Sequence, residues 1–409
     1  MLPLYRENYL PFLVCSCYNE KKCLSTGFDY ERGNMKPYTL RTQSSHKYTS
    51  GFSIRHLALI FVLLLAVASN SLTTLAAAPA TQTSSEAKAS ARTVGTKKKN
   101  KTVKITISAA GDCTLGVDSR YNNTFNNYYK KKGSAYFLKR VKKVFSKDDV
   151  TIVNLEGPFT NATSRASKTF TFKGPAGYAK ILKKGSVEVV NVANNHTFDY
   201  GKKGYSDTLK TLKKNKIKYC RNGSIAYKTV KGIKIAFLGF NQLEGITSSD
   251  VKRTIKKARK QRAKIIIVSF HWGIERDYYP SAIQKSLSHA AIRDGATLVL
   301  GHHPHVLQGM ERYKGRYIVY SLGNFCFGGN TNPSDKDTMI FQQTFTIKNG
   351  RVAKNKDIKV IPCSLSSSSY TNDFQPRILS GKNRKRVLKK INKLSHGMGV
   401  TINSKGKAK

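Results

Sequence analysis

Three histidines, His302, His303 and His305, fall within four positions of "DGATLVLGHHPHVLQGME" (294–311), in a chain with only 9 histidines among 409 residues. Neutral imidazole is the commonest metal ligand. The triplet follows an apolar run, where a strand would end. Pro304 biases His303 towards extended backbone, and in extended chain residues two apart share a side. His303 and His305 are therefore expected to converge on one point, with His302 facing away. A chance polar loop is the alternative for this stretch alone, and a register that uses His302 with His305 is another.

The pattern recurs upstream. "VKITISAAGD" ends on Asp112, "DVTIVNLEG" on Asn154 and Glu156, "VEVVNVANNHTFDYG" on Asn195 and His196, and "KIIIVSFHWGIE" on His271. In open α/β sheets, ligands bind beyond the carboxyl ends of the strands. Five strand ends carrying a carboxylate, an amide or an imidazole point to one shared site. Such donors, without thiolate, suit a divalent transition metal such as Mn, Fe or Zn. One ion would fit, or two about 3.5–4 Å apart, the arrangement that activates water for hydrolysis. Taken singly, each residue could instead cap a helix or turn, and Gly111-Asp112 is ordinary turn chemistry.

The elements that must position these residues alternate. Helical spacing is expected over 133–145, 176–185, 204–217, 249–263 and 281–295, and a hairpin turns about Lys231-Gly232. Strands alternating with helices mean βαβ units and mainly parallel sheet. After residue 312 the rhythm changes to a run of strands, "RYIVYSLGNF", "MIFQQTFTIKNG" and "RVAKNKDIKVIPCSL", closed by a basic amphipathic helix over 384–395.

The N-terminal part is of another kind. "LALIFVLLLAVA" (57–68) follows a basic stretch free of acids from Met35 and precedes Ala78-Pro79-Ala80. That order reads as a signal peptide, with a retained membrane anchor as the alternative, although the run is short of the ~20 residues a span needs. The expected organisation is an over-long gene start at 1–34, a signal peptide or anchor at 35–80, a Lys/Ser/Thr-rich linker at 81–101, one domain at 102–396 and a basic tail at 397–409. Cys113, Cys220, Cys326 and Cys363, scattered through the exported part, form neither a disulfide framework nor a zinc ribbon. Lys+Arg 72 against Asp+Glu 23 gives +49, a field that should hold polyanions near the surface. The basic runs lack interleaved aromatics, so no nucleic acid is expected, and each run alone reads as a solvated face.

Taken together, "AAGD" (109–112), "VNLEG" (153–157), "NNHTFDYG" (194–201), "HWGIE" (271–275), "GHHPHVLQ" (301–308) and "SLGNF" (321–325) resemble the motifs of the CapA capsule-synthesis proteins. These are linked to poly-γ-glutamate biosynthesis and look like a branch of the calcineurin-type metallophosphoesterases. The resemblance runs from about Lys104 to about Ser395. It implies an α/β sandwich, two mixed β-sheets flanked by helices, with a metal centre at the strand ends. It assigns Asp112, Glu156, Asn195, His271, His303 and His305 to metal and His196 to the leaving group. Asp199 and Glu275 are either partners that orient imidazoles or solvated acids. Two departures stand out: Thr114 occupies the place of a phosphoesterase histidine, and Glu156 that of a bridging aspartate.

Two functions follow from this resemblance. One is an exported or cell-surface metal-dependent hydrolase of anionic polymer metabolism, with His196 as general acid. The other is a non-catalytic accessory protein, membrane-associated through its N-terminal segment, that guides poly-γ-glutamate or another wall polyanion.

Overall fold

The computed structural model describes residues 14–17, 23–31, 34–40 and 102–409. The chain divides into two units, Met1–Thr93 and Val94–Lys409. In the first, β1 (Val14–Cys17), β2 (Cys23–Glu31) and β3 (Asn34–Leu40) form an antiparallel sheet. The apolar run 57–68, Ala78-Pro79-Ala80 and the linker 81–101 lie outside the described residues. Among the described residues no helix is long and apolar enough to cross a membrane.

The second unit is a sandwich of two mixed sheets. Its chain enters the first sheet with β4 (Thr102–Cys113), β5 (Val150–Leu155), β6 (Val189–Asn191) and β7 (Lys218–Cys220), all parallel. It then builds the second sheet from β8 (Ile225–Val230), β9 (Ile233–Asn241), β10 (Ile265–His271), β11 (Leu298–His302), β12 (Met310–Tyr313) and β13 (Arg316–Val319). Strands β9, β10, β11 and β13 run parallel, with β8 and β12 as antiparallel edges. The chain returns to the first sheet with β14 (Asp337–Lys348), β15 (Arg351–Val352), β16 (Ile358–Ser364) and β17 (Arg377–Ile378), all antiparallel.

Three apolar layers follow from strand alternation. Ile105, Ile107, Ile152, Phe237, Ile267 and Leu300 face each other between the sheets. Leu238, Ile266 and Val268 point outward, under α5 (Ser248–Lys260) and α6 (Ala282–Asp294). On the opposite face, Ala110, Val153 and Val190 meet α1 (Thr124–Lys132), α2 (Lys142–Phe145), α3 (Ala179–Lys184) and α4 (Gly201–Lys214). A seventh helix, α7 (Gly381–Leu394), sends Val387, Leu388 and Ile391 into the layer between the sheets. Strands buried on both faces explain why β10 reads as a continuous apolar run rather than an alternating one. The hairpin turns at Lys231 and Gly232, both at positive φ (49° and 78°), as a tight two-residue turn requires.

Three expectations change. The helix expected over 133–145 shrinks to α2, because the run starts at Gly133 (φ 71°) and Phe137, Leu138 and Val141 are buried from successive turns. The helix lies before it, in α1. The strand expected through "VEVVNVANNHTFDYG" stops at Asn191. There the Asn191 side chain accepts from Ala193 N (3.1 Å) and Asn194 from His196 N (3.1 Å), and such bonds compete with a ladder and turn the chain. Residues 397–409, set apart in the sequence as a basic tail, pack onto the domain: Val360 N donates to Gly406 O (2.7 Å), and Ile402 is buried in the central layer.

Asp118 ties the irregular segment after β5 to the first sheet. It accepts from Thr171 N (2.9 Å) and pairs with Arg120 (2.6 Å). Burial would raise its pKa, but these bonds carry it down to about 2. A depressed carboxylate contributes stability above its unfolded value near 4, lost as pH falls through the folded value. Asp118→Asn should therefore lower the thermal midpoint at pH 7, and the gap from wild type should close between about pH 4 and pH 2. A pH-independent gap would show that the charge is irrelevant.

Candidate metal centre

Every motif of the sequence converges on one end of the sandwich. The first sheet supplies oxygen: Asp112 from β4, Glu156 just past β5, and Asn195 from the turn after β6. The second supplies nitrogen: His271 from the end of β10, His302 from the end of β11, and His303 and His305 from the loop beyond. Glu156, His303 and His305 each present a ligand atom within 4.8 Å of the others. The His271 and His303 rings lie tilted at 51° with centroids 4.7 Å apart, and His271 Nε2 meets Asn195 Oδ1 at 2.9 Å.

The three histidines converge for a different reason than expected. His303 and His305 are not extended; they sit at φ 97° and 59°. Nor does His302 face away. It continues β11, and its Nδ1 lies 3.4 Å from Asp112 Oδ1. The left-handed turn at His303, whose N–H donates to Asp112 Oδ2 (3.2 Å), brings the next two imidazoles back over the same carboxylates.

Asp112 and Glu156 are fully buried. Burial would raise Asp112, but the His302 and His305 imidazoles beside it, each with Nδ1 3.4 Å from a carboxylate oxygen, hold it well below the ordinary carboxylate range. Burial pushes Glu156 up; His305 pulls against this, and Asp112 adds to it. Burial, then His305, lowers His303 to about 4. Burial opposes charge on His305, but Glu156 and Asp112 carry its pKa up to about 10. Glu156 Oε1, His303 Nδ1 and both ring nitrogens of His302 are buried without a hydrogen-bond partner. Orphaned polar atoms are rare in folded proteins, and here all are metal-ligand types. The donor set thus fits a divalent transition ion, without thiolate: the Cys113 thiol is buried in the helix-side layer and pushed up to about 12 by burial. Among the described residues Cys113, Cys220, Cys326 and Cys363 are free.

His196 lies in the same cleft. Its Nδ1 donates to Asp199 Oδ2 (2.7 Å), which leaves Nε2 free. Asp199 is buried, accepts from Phe172 N (2.6 Å) and pairs with Lys168 Nζ (2.6 Å). It is an orienting acid, not a solvated one. Glu275 is exposed on the rim. The cleft, about 170 Å³, is lined by His196, His305 and Asn324 beneath Phe170, Phe172, Phe327, Glu275 and Arg276.

Three further side chains take part. Asn154 donates to Asp112 Oδ1 (2.8 Å) and is held by Asn191 (2.9 Å). Asn324, in "SLGNF", accepts from His305 Nδ1 (2.9 Å), which frees Nε2. Lys168 reaches Asn195 O (2.9 Å) as well as Asp199. Asn154 and Asn324 sit in quoted motifs and were findable there, whereas Lys168 lies in irregular chain with no signal. Thr114 donates to Glu156 Oε2 (2.9 Å), so the residue replacing a phosphoesterase histidine fixes the carboxylate instead.

Two sheets packed face to face between helices, with oxygen donors from one and imidazoles from the other, define a metallophosphoesterase-like sandwich. Residues 106–329, more than half of the chain, match the family described as Bacterial capsule synthesis protein PGA_cap, and the chain belongs to it. It is 32% identical over 252 residues to the "Capsule biosynthesis protein CapA" of Bacillus anthracis, covering 55% of this chain and 60% of that protein. It is 33% identical over 247 residues to the "PGA biosynthesis protein CapA" of Bacillus subtilis, covering 54% and 63%. A "Probable polyglutamine synthesis accessory protein" of Mycobacterium tuberculosis is 26% identical over 213 residues, covering 43% and 55%. The chain thus spans about three-fifths of the two Bacillus proteins.

Proposed function

We propose that the domain is a metal-dependent hydrolase of capsule or poly-γ-glutamate metabolism, working at the cell surface or outside the cell. The observation that carries this reading is the cluster of orphaned atoms, Glu156 Oε1, His303 Nδ1 and the His302 nitrogens, inside a ring of metal-ligand side chains. Asp112, Glu156, Asn195, His271, His303 and His305 would hold one or two divalent ions, Mn, Fe or Zn. Such an ion supplies Lewis acidity and lowers the pKa of water. The chain's own part is positional. Asp199 fixes the His196 ring through Nδ1, so Nε2 can give a proton to a leaving group in the cleft. Asn324 holds His305, and Phe172 covers His196 at 4.5 Å between centroids, narrowing the access of water. The hydrogen bond from Thr114 to Glu156 favours a second reading, a non-catalytic accessory protein, since it stands where a further imidazole would be.

Metal analysis of the purified domain, followed by assays on phosphoesters and γ-glutamyl polymers, tests both. Under the first reading, turnover requires the ion and falls in His196→Ala while metal content holds. Metal without turnover on either substrate class leaves the accessory reading.

An anionic polymer is the proposed partner in either case, attracted by the +49 charge. The Debye length shrinks from about 10 Å at 0.1 M salt to about 3 Å at 1 M, so retention on poly-γ-glutamate should fall steeply over that range. Retention unchanged at 1 M would remove net charge as the cause.

A further inference from the structure

We infer that an oxyanion subsite built on Arg377 adjoins the metal cleft and takes a pendant carboxylate of the chain held there. A pocket of about 290 Å³ is walled by Ser364, Ser368, Ser369, Arg377, Asn383 and Arg386. It meets the cleft at Ser334 and Asp335, which line both. The acids on its wall are already engaged. Asp337 is gripped by both Arg386 nitrogens (2.7 and 2.6 Å) and by Lys390 (3.1 Å). Asp335 takes Lys390 (2.7 Å) and the Tyr278 hydroxyl (2.9 Å).

Arg377 is different. It sits on β17 directly across from Ser364. Its guanidinium makes no hydrogen bond or ion pair to any described residue, and its Nε is buried. A buried donor without an acceptor is unfavourable, and the group that relieves a guanidinium best is a planar oxyanion held by two parallel N–H bonds. Carboxylate and phosphate share that chemistry. The proposed anionic polyamide in the cleft selects the carboxylate, and the inference rests on that reading. A polymer whose backbone enters the metal cleft would place a neighbouring side group over the shared Ser334–Asp335 wall.

The test compares Arg377→Gln with Lys256→Gln, which removes the same charge from the exposed face of α5, outside the pocket. Affinity for a long labelled oligo-γ-glutamate, for a γ-glutamyl dipeptide and for polyphosphate is measured at low salt, with the thermal midpoint checking the fold. Loss of a charge-assisted pair should weaken the long oligomer about tenfold in Arg377→Gln, with partial recovery in Arg377→Lys. Lys256→Gln should change it less than about twofold, and the dipeptide, too short to bridge, should bind all variants alike. Equal losses in Arg377→Gln and Lys256→Gln would reduce the effect to net charge and overturn the subsite. So would an Arg377→Gln loss confined to polyphosphate, which would make the ligand a phosphate chain. Binding of the oligomer with no Arg377 effect sinks the subsite alone, whereas no binding by wild type sinks it together with the polymer reading.

Discussion

Glu156→Gln should make the metal-stripped protein more stable and its metal binding at least ~100-fold weaker. The two effects have one origin. Glu156 is fully buried, its Oε1 has no hydrogen bond, and Asp112 lies close with the same charge. Its pKa is raised, so the ionised form is penalised in the folded state, and that penalty grows as pH rises above the ordinary carboxylate range. A neutral amide keeps the oxygen that Thr114 donates to and removes the buried charge, although its nitrogen inherits the unpartnered position of Oε1 and His305 loses an anionic neighbour. What is relieved is the desolvation of one charge and its repulsion by Asp112, so the midpoint after chelation should rise. In the presence of ion the order reverses, because the carboxylate charge is what the cation needs. Even removal of an outer-shell partner typically costs ~10–100-fold in affinity. Paired melting curves with and without chelator, and Mn or Zn titration of both proteins, read the two signs. A destabilised variant with unchanged affinity would make Glu156 a structural carboxylate and move the metal reading elsewhere.

Gly111→Ala should abolish the site by distorting its backbone. A Cβ at Gly111 would lie 1.8 Å from the Gly323 carbonyl oxygen and 3.1 Å from that of Leu322. Neither neighbour is a side chain that can swing away. The same junction is tied by Asp112 N to Gly323 O (2.9 Å) and by Phe325 N to Asp112 O (2.8 Å). Overpacking typically costs about 1–3 kcal/mol, and two loosened hydrogen bonds add roughly 1 each. A loss on the order of 3–5 kcal/mol, about 10 °C in midpoint, should accompany loss of metal affinity, since Asp112 and Asn324 flank the contact. Gly177→Ala is the control: its added Cβ meets only the Tyr129 hydroxyl at 3.6 Å, and its midpoint should stay within about a degree. A folded Gly111→Ala domain with normal affinity would show that the junction relaxes.

How much of this was legible depended on periodicity. Asp112 and His271 lie at the ends of strands that their own β-branched residues announce, Glu156 just past one, and Asn195 and His196 in the turn a few residues beyond β6, so their meeting could be read from the chain. Helix α1, "TFNNYYKKK", could not: Phe125 is its one buried residue, so no apolar spacing marks it. The local geometry at 302–305 was misread because the rule for residues before proline describes an unconstrained chain. Here the bond from His303 N to Asp112 holds a left-handed turn that the local rule does not anticipate. Lys168 was invisible, since a lysine in a basic chain carries no signal until the fold sets it beside Asp199.

The division of donors between the sheets has a bearing on biogenesis. A nascent chain that has reached β7 carries Asp112, Glu156 and Asn195 but none of His271, His302, His303 and His305. The imidazoles belong to strands made later, and β14 must still return beside β4 before the first sheet is whole. Each half alone would hold a cation weakly and without selectivity. Tight uptake of an ion would therefore be a late event that follows closure of one sheet on the other, and a chain that took up metal would have passed an inspection of its own assembly.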